Sequence, residues 1–466
     1  MAGLAPAVLL SIAMGFALTS RVTVAGAGTR RLSLLLATSL AIGMGLGVSA
    51  CVFFVWIAFI GPAGSWFVVV EVLLLAGLVL VSRRTLLPPS IRWSLASPRP
   101  APLPAGWLWL SVVGVSVAAS VILFILRSVS EPHGGWDAWM TWNVAARFLF
   151  RGESHWQDAF SPSFRHPDYP LLLPGAVARL WTHMGTDSVV APATVAMLFT
   201  FATVGVAGAS LALLRTSRQA ILGVLMLLAT QSLITHGASQ YADIPLAFFV
   251  LATVVLLSLH DRAEQGRGLM ALAGAAAGFA TWTKNEGVLF LAAIVVARCA
   301  AIALRHGWRT YVSELRWFAV GLAPVLAVVA YFKLCLAPAN EFVAGQGLAD
   351  TLPRLLDAGR YLAVARVFKS EVLHLGYNGV VGAIPLLVVY VLCVGLKVDT
   401  IDRPALATCL GALALILGGY VAVLVTAPGD FLRLLNRSVD RLLLHLWPTI
   451  VFICFMIARP PEETTD

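Results

Sequence analysis

Charged residues are scarce in this chain, and long apolar runs take their place. Only 12% of the 466 residues are charged and 59% are hydrophobic, whereas soluble domains carry roughly 25% charged residues. Apolar runs close to the roughly 20 residues needed to cross a bilayer recur along the chain. Because backbone groups inside a bilayer must bond within their own segment, such runs form helices and not open sheets. We therefore predict an all-α, polytopic integral membrane protein and exclude a soluble enzyme.

Clustered cysteine and clustered basic charge are also missing. The six cysteines lie within apolar runs, and none has the spacing of a metal knuckle or a disulfide framework. The net charge of +9 is spread over short connections, which argues against a nucleic-acid partner. We expect these basic residues to record the membrane topology.

Apolar runs between charged or Pro/Gly breaks predict about thirteen membrane helices. The first run lacks the basic residues that precede a cleaved signal sequence, so we expect it to remain as a helix. The runs lie near residues 4–20, 32–60, 64–82, 106–127, 189–214, 219–235, 244–260, 269–283, 287–304, 317–337, 378–396, 404–427 and 442–458.

The division of the chain follows from one Pro- and Arg-rich stretch, residues 83–105, which we interpret as a cytoplasmic linker. It separates N-terminal membrane helices (1–82) from a main transmembrane module (106–458) and a cytoplasmic tail (459–466). Connections with at least two Arg alternate with Arg-free ones, and short Arg-rich loops favour the cytoplasm. This orientation places three longer loops on the outer face, the first large enough to carry short helices: 128–188, 338–377 and 428–441.

The first outer loop contains GGWDAW at 134–139, with Asp137 between Trp136 and Trp139. In one interpretation the Trp residues form an interfacial belt and Asp137 caps the next helix. In the other, Asp137 is a carboxylate at the mouth of a cavity, ready to accept a proton.

Further along the same loop, HPDYP holds His166 and Asp168 two positions apart on a chain that its prolines keep extended. These two side chains are candidates for one site, and Tyr169 follows them. An ordinary polar turn is the alternative interpretation. As a metal pair the motif is weak, because its spacing supplies no third ligand.

The remaining polar residues stand at the outer ends of later spans, where each needs a partner or a function. Asp243 begins a span, and a role as helix cap alone accounts for it. Lys284 and Glu286, in TKNEG, suit either a local ion pair or a lipid phosphate. Arg437 and Arg441 precede LLLHLWP, where long side chains also snorkel to the interface.

Five stretches in chain order carry a family resemblance: WDAWMTWNVAARF, HPDYPLLLP, YADIPLAFF, TKNEG and NRSVDRLLLHLWP. They resemble the signatures of GT-C superfamily membrane glycosyltransferases, in particular bacterial proteins akin to the dolichyl-phosphate-mannose protein mannosyltransferase and lipid A aminoarabinose transferase group. The resemblance spans residues 107–458. It implies a GT-C fold, a polyprenyl-phosphate sugar as donor, and a lipid, glycan or protein hydroxyl as acceptor on the outer face. The family's loop acid maps to Asp137, but its frequent acidic neighbour is Ala138 here.

We accordingly expect a membrane glycosyltransferase of a bacterial inner membrane with its site facing outside. Asp137 is the expected base for an inverting attack by the acceptor hydroxyl. Lys284 and Arg441, with Arg437 behind them, are expected to meet the charge of the leaving lipid phosphate. The residues expected to bind substrate or orient the base are His166, Asp168, Tyr169, Asp243 and Glu286.

Two questions remain open at this level. A monophosphate donor presents one phosphate, so we expect no obligatory cofactor or metal, although a divalent metal is compatible with the residues. A transporter or flippase for a lipid-linked or small polar substrate is the alternative function. Such proteins typically carry charges near the membrane midplane and matched repeats, whereas the polar residues here gather at one face.

Overall fold

The structure, a computed structural model, describes residues 3–20, 22, 29–84, 106–263, 266–340, 346–376 and 382–461. Helices and their connections make up this part of the chain. The α-helices are α1 (Leu4–Thr19), α2 (Arg30–Phe59), α3 (Ser65–Arg84), α4 (Trp107–Ser130), α5 (Asn143–Arg151), α6 (Leu172–Met184), α7 (Val190–Leu214), α8 (Ser217–Ala229), α9 (Gln231–Ala238), α10 (Asp243–Arg262), α11 (Arg267–Thr283), α12 (Glu286–His306), α13 (Trp308–Tyr331), α14 (Leu348–Leu356), α15 (Ala358–His374), α16 (Ala383–Val394), α17 (Arg403–Thr426) and α18 (Phe431–Ile457).

Membrane-spanning helices dominate the fold. Within the described ranges, eight helices are long and apolar enough to cross a bilayer: α2, α4, α7, α10, α12, α13 with its following turn, α17 and α18. The pair α8 and α9, bent by 58°, qualifies as one further broken span, and three shorter apolar helices lie at Leu4–Thr19, Trp66–Val81 and Ala383–Val394. Each predicted run overlaps a helix, so the all-α polytopic membrane prediction is confirmed. The number of crossings stays a prediction.

Some predicted segments lie outside the described residues. These are most of the linker (85–105), the end of the tail (462–466), and residues 341–345 and 377 of the second outer loop. The predicted division of the chain therefore stays a prediction.

The first predicted outer loop does carry short helices. A wide π-helical turn at Ala138–Trp142 leads into α5, and a tight 3-10 turn at Glu153–Phe160 follows before α6. The stretch thus packs as several short elements above the spans.

Residues 431–441, predicted as loop, are instead the first three turns of α18. Asp430 caps this helix by accepting a hydrogen bond from the backbone N–H of Arg433 at 3.1 Å. Leu435, Val439 and Leu442 recur on one buried face, the spacing of an amphipathic helix. The charged residues between them hid this stripe from a search for uninterrupted apolar runs.

Helix α10 lies at the centre of the bundle. All but one of its first seventeen residues are fully apolar or hydroxyl-bearing, and nearly its whole length is buried. It packs against α7, α11 and α18. Its N-terminal residue, Asp243, therefore starts in a position surrounded by other helices.

The N-terminal helices are joined to the rest by a buried ionic network. Glu71 of α3 and Arg179 of α6 are both fully buried, with Nη2 of Arg179 at 3.2 Å from Glu71 Oε2. Arg179 Nη1 also donates to Ser11 Oγ at 2.8 Å, and His183 Nε2 lies 2.7 Å from Glu71 Oε2. Helix α3 is thus tied to α6 by an ion pair, and helix α1 is tied to it by a hydrogen bond.

We predict that Glu71→Gln and Arg179→Met will each destabilise the protein by about 3–5 kcal/mol, because each leaves one buried charge unpaired. The double variant should be less destabilised than the sum of the two. Unfolding of detergent-purified protein measures both. Glu131→Gln, which breaks the exposed Arg127–Glu131 pair, is the control and should cost at most about 1 kcal/mol. Additive losses at Glu71 and Arg179 would contradict the network.

Candidate active site

The carboxylate of Asp243 is the centre of a buried polar cluster. Its Oδ1 accepts from Lys284 Nζ at 2.9 Å and lies 2.6 Å from His445 Nε2. Its Oδ2 accepts from Arg441 Nη2 at 2.7 Å and from Arg441 Nε at 3.1 Å. The Asp243 side chain is 0% exposed, so each oxygen finds its partners within the protein.

Arg441 connects this buried centre to Asp137. Its Nη1 donates to Asp137 Oδ2, and its guanidinium lies over the Tyr241 ring, 4.8 Å from the centroid. Asp137 is 24% and Arg441 22% exposed. The accessible end of the cluster is therefore one carboxylate beside one guanidinium.

Both helix-capping interpretations are wrong. The cap position of α10 is Ala242, and no side chain caps that end. Asp137 precedes the π-helical turn without making a side-chain cap bond. Both carboxylates accept charge-assisted hydrogen bonds from cations instead, Asp137 from Arg441, and Asp243 from Arg441 and Lys284.

A glycine allows the loop of Asp137 to approach the loop before α10. The Gly135 N–H donates to the Ser239 carbonyl at 3.0 Å. At the preceding Gly134, which has φ +75°, a Cβ would lie 2.7 Å from the Ser239 carbonyl oxygen, closer than side chains approach a backbone atom. The two tryptophans next to Asp137 remain outside: Trp136 and Trp139 are 56% and 47% exposed, as interfacial anchors are.

Lys284 and Glu286 form the local ion pair expected of TKNEG, with 3.0 Å between Nζ and Oε1. Lys284 is 4% and Glu286 22% exposed. Burial alone would lower the pKa of Lys284, but the charges of Asp243 and Glu286 outweigh burial and hold that pKa above its usual value. Lys284 is therefore a cation at neutral pH.

Sequence reasoning missed His445 and Tyr420. His445 is fully buried in α18, and its Nδ1 lies 3.3 Å from the Tyr420 hydroxyl. In the tautomer that carries its proton on Nε2, this nitrogen donates to Asp243 and Nδ1 accepts from the Tyr420 hydroxyl. The signal was a lone ionisable residue within the apolar run LLLHLWP, which in a membrane helix indicates a partner or a function.

The HPDYP residues lie beside this cluster. The His166 ring stacks on Tyr169, with 4.6 Å between centroids, and Tyr169 stacks on Trp142. Asp168 has a different partner, because its Oδ2 accepts a hydrogen bond from Asn285 Nδ2 at 2.7 Å. Burial, and next the negative charge of Glu286, raise the pKa of Tyr169 well above its usual value. Tyr169 thus lies within electrostatic range of the Asp243 cluster as a neutral phenol.

The structure therefore brings together residues from five separate stretches of sequence. Asp137, Asp243, Lys284, Glu286 and Arg441 form one cluster, with His166, Asp168 and Tyr169 next to it. Arg437 is exposed on α18, one turn before Arg441, and lies outside the cluster. Three further side chains that the sequence did not single out, Asn285, Lys333 and Asn340, surround Asp168.

Comparison with known proteins adds one finding. Residues 166–332 match the family model described as dolichyl-phosphate-mannose-protein mannosyltransferase. The match supports a GT-C membrane glycosyltransferase. This confirms the resemblance expected from the motifs, over a shorter stretch than they suggested. The family supports glycosyltransferase activity with a lipid-linked sugar donor. Neither the curated proteins nor the solved structures gave a match.

Asp243→Asn should destabilise the protein by about 3–5 kcal/mol, because Lys284 and Arg441 lose the buried charge that balances them. Thermal unfolding in detergent measures the effect. Asp440→Asn is the matched control, since Asp440 is 41% exposed and one residue from Arg441; it should cost at most about 1 kcal/mol. Equal unfolding temperatures for the two variants would show that Asp243 does not hold the cluster together.

Proposed function

We propose that this protein transfers a sugar from a polyprenyl-phosphate donor to an acceptor hydroxyl on the outer face of a bacterial inner membrane, with inversion at the anomeric carbon. The observation that carries this proposal is the Asp137–Arg441 pair at the accessible edge of a buried cationic cluster. It offers a carboxylate for the acceptor and a cation for the phosphate within one site.

In the proposed reaction Asp137 takes the proton of the acceptor hydroxyl as that oxygen bonds to the anomeric carbon. The bond from the anomeric carbon to the phosphate oxygen breaks, and its electron pair leaves with the lipid phosphate. A positioned general base typically contributes about 10²- to 10⁴-fold to such a step. Attack from the side opposite the leaving group inverts the sugar.

The developing phosphate charge needs fixed cations in a site sheltered from water. Arg441 is the accessible one, and Lys284 lies behind it with its charge held by Asp243. A phosphate competes with Asp137 for Nη1 of Arg441, so donor binding releases the carboxylate that acts as base. Arg437, exposed one turn earlier on α18, is proposed to guide the phosphate towards this position.

The remaining predicted residues take supporting roles in the proposal. Glu286 is 22% exposed beside Lys284 and is assigned to hydroxyls of the donor sugar. The stacked rings of His166 and Tyr169 are assigned to the sugar or the acceptor. Asp243 and Asp168 are too deeply buried to meet substrate and are assigned to orientation. A lipid, a glycan or a protein each presents the hydroxyl that this chemistry needs.

The outward orientation rests on where charges lie along the helices. Asp243 begins α10 and Arg262 ends it, so the two are separated by about 30 Å at 1.5 Å per residue. Arg262 pairs with Asp402, and Arg298 at the far part of α12 pairs with Asp261. The proposed site therefore lies at the end opposite the Arg-rich connections, which favour the cytoplasm.

Asp137→Asn should lower sugar transfer by about 10²- to 10⁴-fold, because the amide accepts no proton. The assay is transfer of label from a panel of polyprenyl-phosphate hexoses and pentoses in membranes holding the full chain. Asp158→Asn, an exposed acid of the same loop, is the control and should keep wild-type transfer. Wild-type transfer by folded Asp137→Asn would remove Asp137 as base. Donor movement across vesicles without transfer would instead favour a flippase.

Chelation tests the proposal that no metal is obligatory. Arg441 and Lys284 supply the positive charge that a metal would otherwise bring to the phosphate. Transfer by the purified protein should therefore persist after treatment with EDTA and dialysis. Loss of transfer that Mg²⁺ or Mn²⁺ restores would contradict this proposal.

A further inference from the structure

A second polar cluster, which we call the Asp168 clasp, joins three parts of the chain through Asp168, Asn285, Lys333 and Asn340. Asp168 Oδ2 accepts from Asn285 Nδ2 and from Asn340 Nδ2, each at 2.7 Å. Lys333 Nζ donates to Asn285 Oδ1 at 2.7 Å and to the backbone carbonyl of Asp168. Asp168 is 2% exposed, so this carboxylate depends on the clasp for its partners.

Asn285 has a single possible orientation in the clasp. Its amide nitrogen donates to a carboxylate, and its amide oxygen accepts from an ammonium. Reversing the amide would place Nδ2 against Lys333 and Oδ1 against Asp168, two repulsive contacts. The backbone at position 285 is therefore held at a defined place.

The neighbours of Asn285 in sequence, Lys284 and Glu286, belong to the Asp243 cluster. The backbone changes from extended at Lys284, φ −152° and ψ 161°, to helical at Asn285, φ −60° and ψ −33°. Lys284 Nζ donates to Asp243, whereas Asn285 Nδ2 donates to Asp168. One short connection is anchored from two sides.

The connection also has little freedom to relax. The Gly287 N–H donates to the Lys284 carbonyl at 3.0 Å. A Cβ at Gly287 would lie 1.9 Å from the Ala280 carbonyl oxygen, so the turn lies directly on the end of α11. Lys284 and Asn285 therefore belong to one closed turn that packs against the end of α11.

The other end of the clasp reaches the helix that follows Asp137. Tyr169, adjacent to Asp168, stacks on Trp142 with 5.4 Å between ring centroids and 25° between planes. Trp142 ends the π-helical turn that begins directly after Asp137. A packed path therefore joins the Asp137 segment to the Lys284 segment without passing through Arg441.

This second path has a consequence for the proposed reaction. The ion pair between Arg441 and Asp137 opens when a phosphate takes Arg441, so it does not hold the site's spacing in the loaded state. The Asp168 clasp contains none of the groups assigned to the phosphate or to the acceptor proton. Its bonds are therefore not among those that the proposed phosphate binding breaks.

We propose that Asp168, Asn285 and Lys333 are positioning residues that hold Lys284 and Glu286 in place relative to Asp137 while Arg441 engages the donor phosphate. This inference rests on the proposed function. Loss of the clasp should therefore weaken phosphate binding by molecules that are still folded. A contribution to folding alone would leave that affinity unchanged.

The test is binding of labelled undecaprenyl phosphate to the full-length, detergent-purified chain, expressed per folded molecule. Asn285→Ala should weaken binding by about 10- to 100-fold, the effect typical of losing a partner that orients a ligand-binding side chain. Lys333→Met should act in the same direction, and Lys333→Arg, which keeps the charge and the donors, should recover most of the affinity. Asn436→Ala, an exposed asparagine on α18, is the matched control and should bind like wild type.

The outcomes separate the inference from the proposed function. If the wild-type chain does not bind undecaprenyl phosphate, both are overturned. If it binds and transfers sugar, and folded Asn285→Ala and Lys333→Met bind with wild-type affinity, the inference alone is overturned. A variant whose folded yield falls while the affinity of each folded molecule is unchanged counts against positioning, because that is the result of a purely structural role.

Discussion

The buried carboxylate of Asp243 is the constraint on which the rest of the site depends. An ion at the end of a fully packed helix is tolerated only when partners supply the bonds that water would. Lys284 provides one partner from the connection between α11 and α12, and Arg441 and His445 provide the others from α18. The start of α10, the connection between α11 and α12, and the early turns of α18 must therefore meet at one place.

The solvent exposure of the side chains increases across the site, from its buried centre to its edge. Exposure rises from the buried Asp243 and Lys284 to Arg441, Glu286 and Asp137, so these last three side chains are the accessible part of the cluster. No second acid follows Asp137 in the sequence, and the structure shows what occupies that position. Ala138 is fully buried, and its side chain faces the protein. The partner of Asp137 comes from α18 instead of from the next residue.

The N-terminal helices contribute to the same arrangement. Glu71 and Ser11 both bind Arg179 of α6, and α6 begins directly after the loop that holds His166, Asp168 and Tyr169. A charge pair with both members fully buried costs free energy unless its geometry is maintained. Helices α1 and α3 therefore support the loop that borders the candidate site, although the family match covers only residues 166–332.

The sequence by itself determined the fold class, the approximate helices and the candidate residues at the ends of those helices. Hydropathy depends on neighbours in the chain, and motifs such as YADIPL and TKNEG are local patterns. The same local criterion misjudged residues 431–441, where charges interrupt an amphipathic helix, and passed over His445, Asn285 and Lys333. Only the tertiary structure decided which residues are partners. Asp137 and Arg441 are 304 positions apart, and a contact over that separation depends on how all the intervening helices pack.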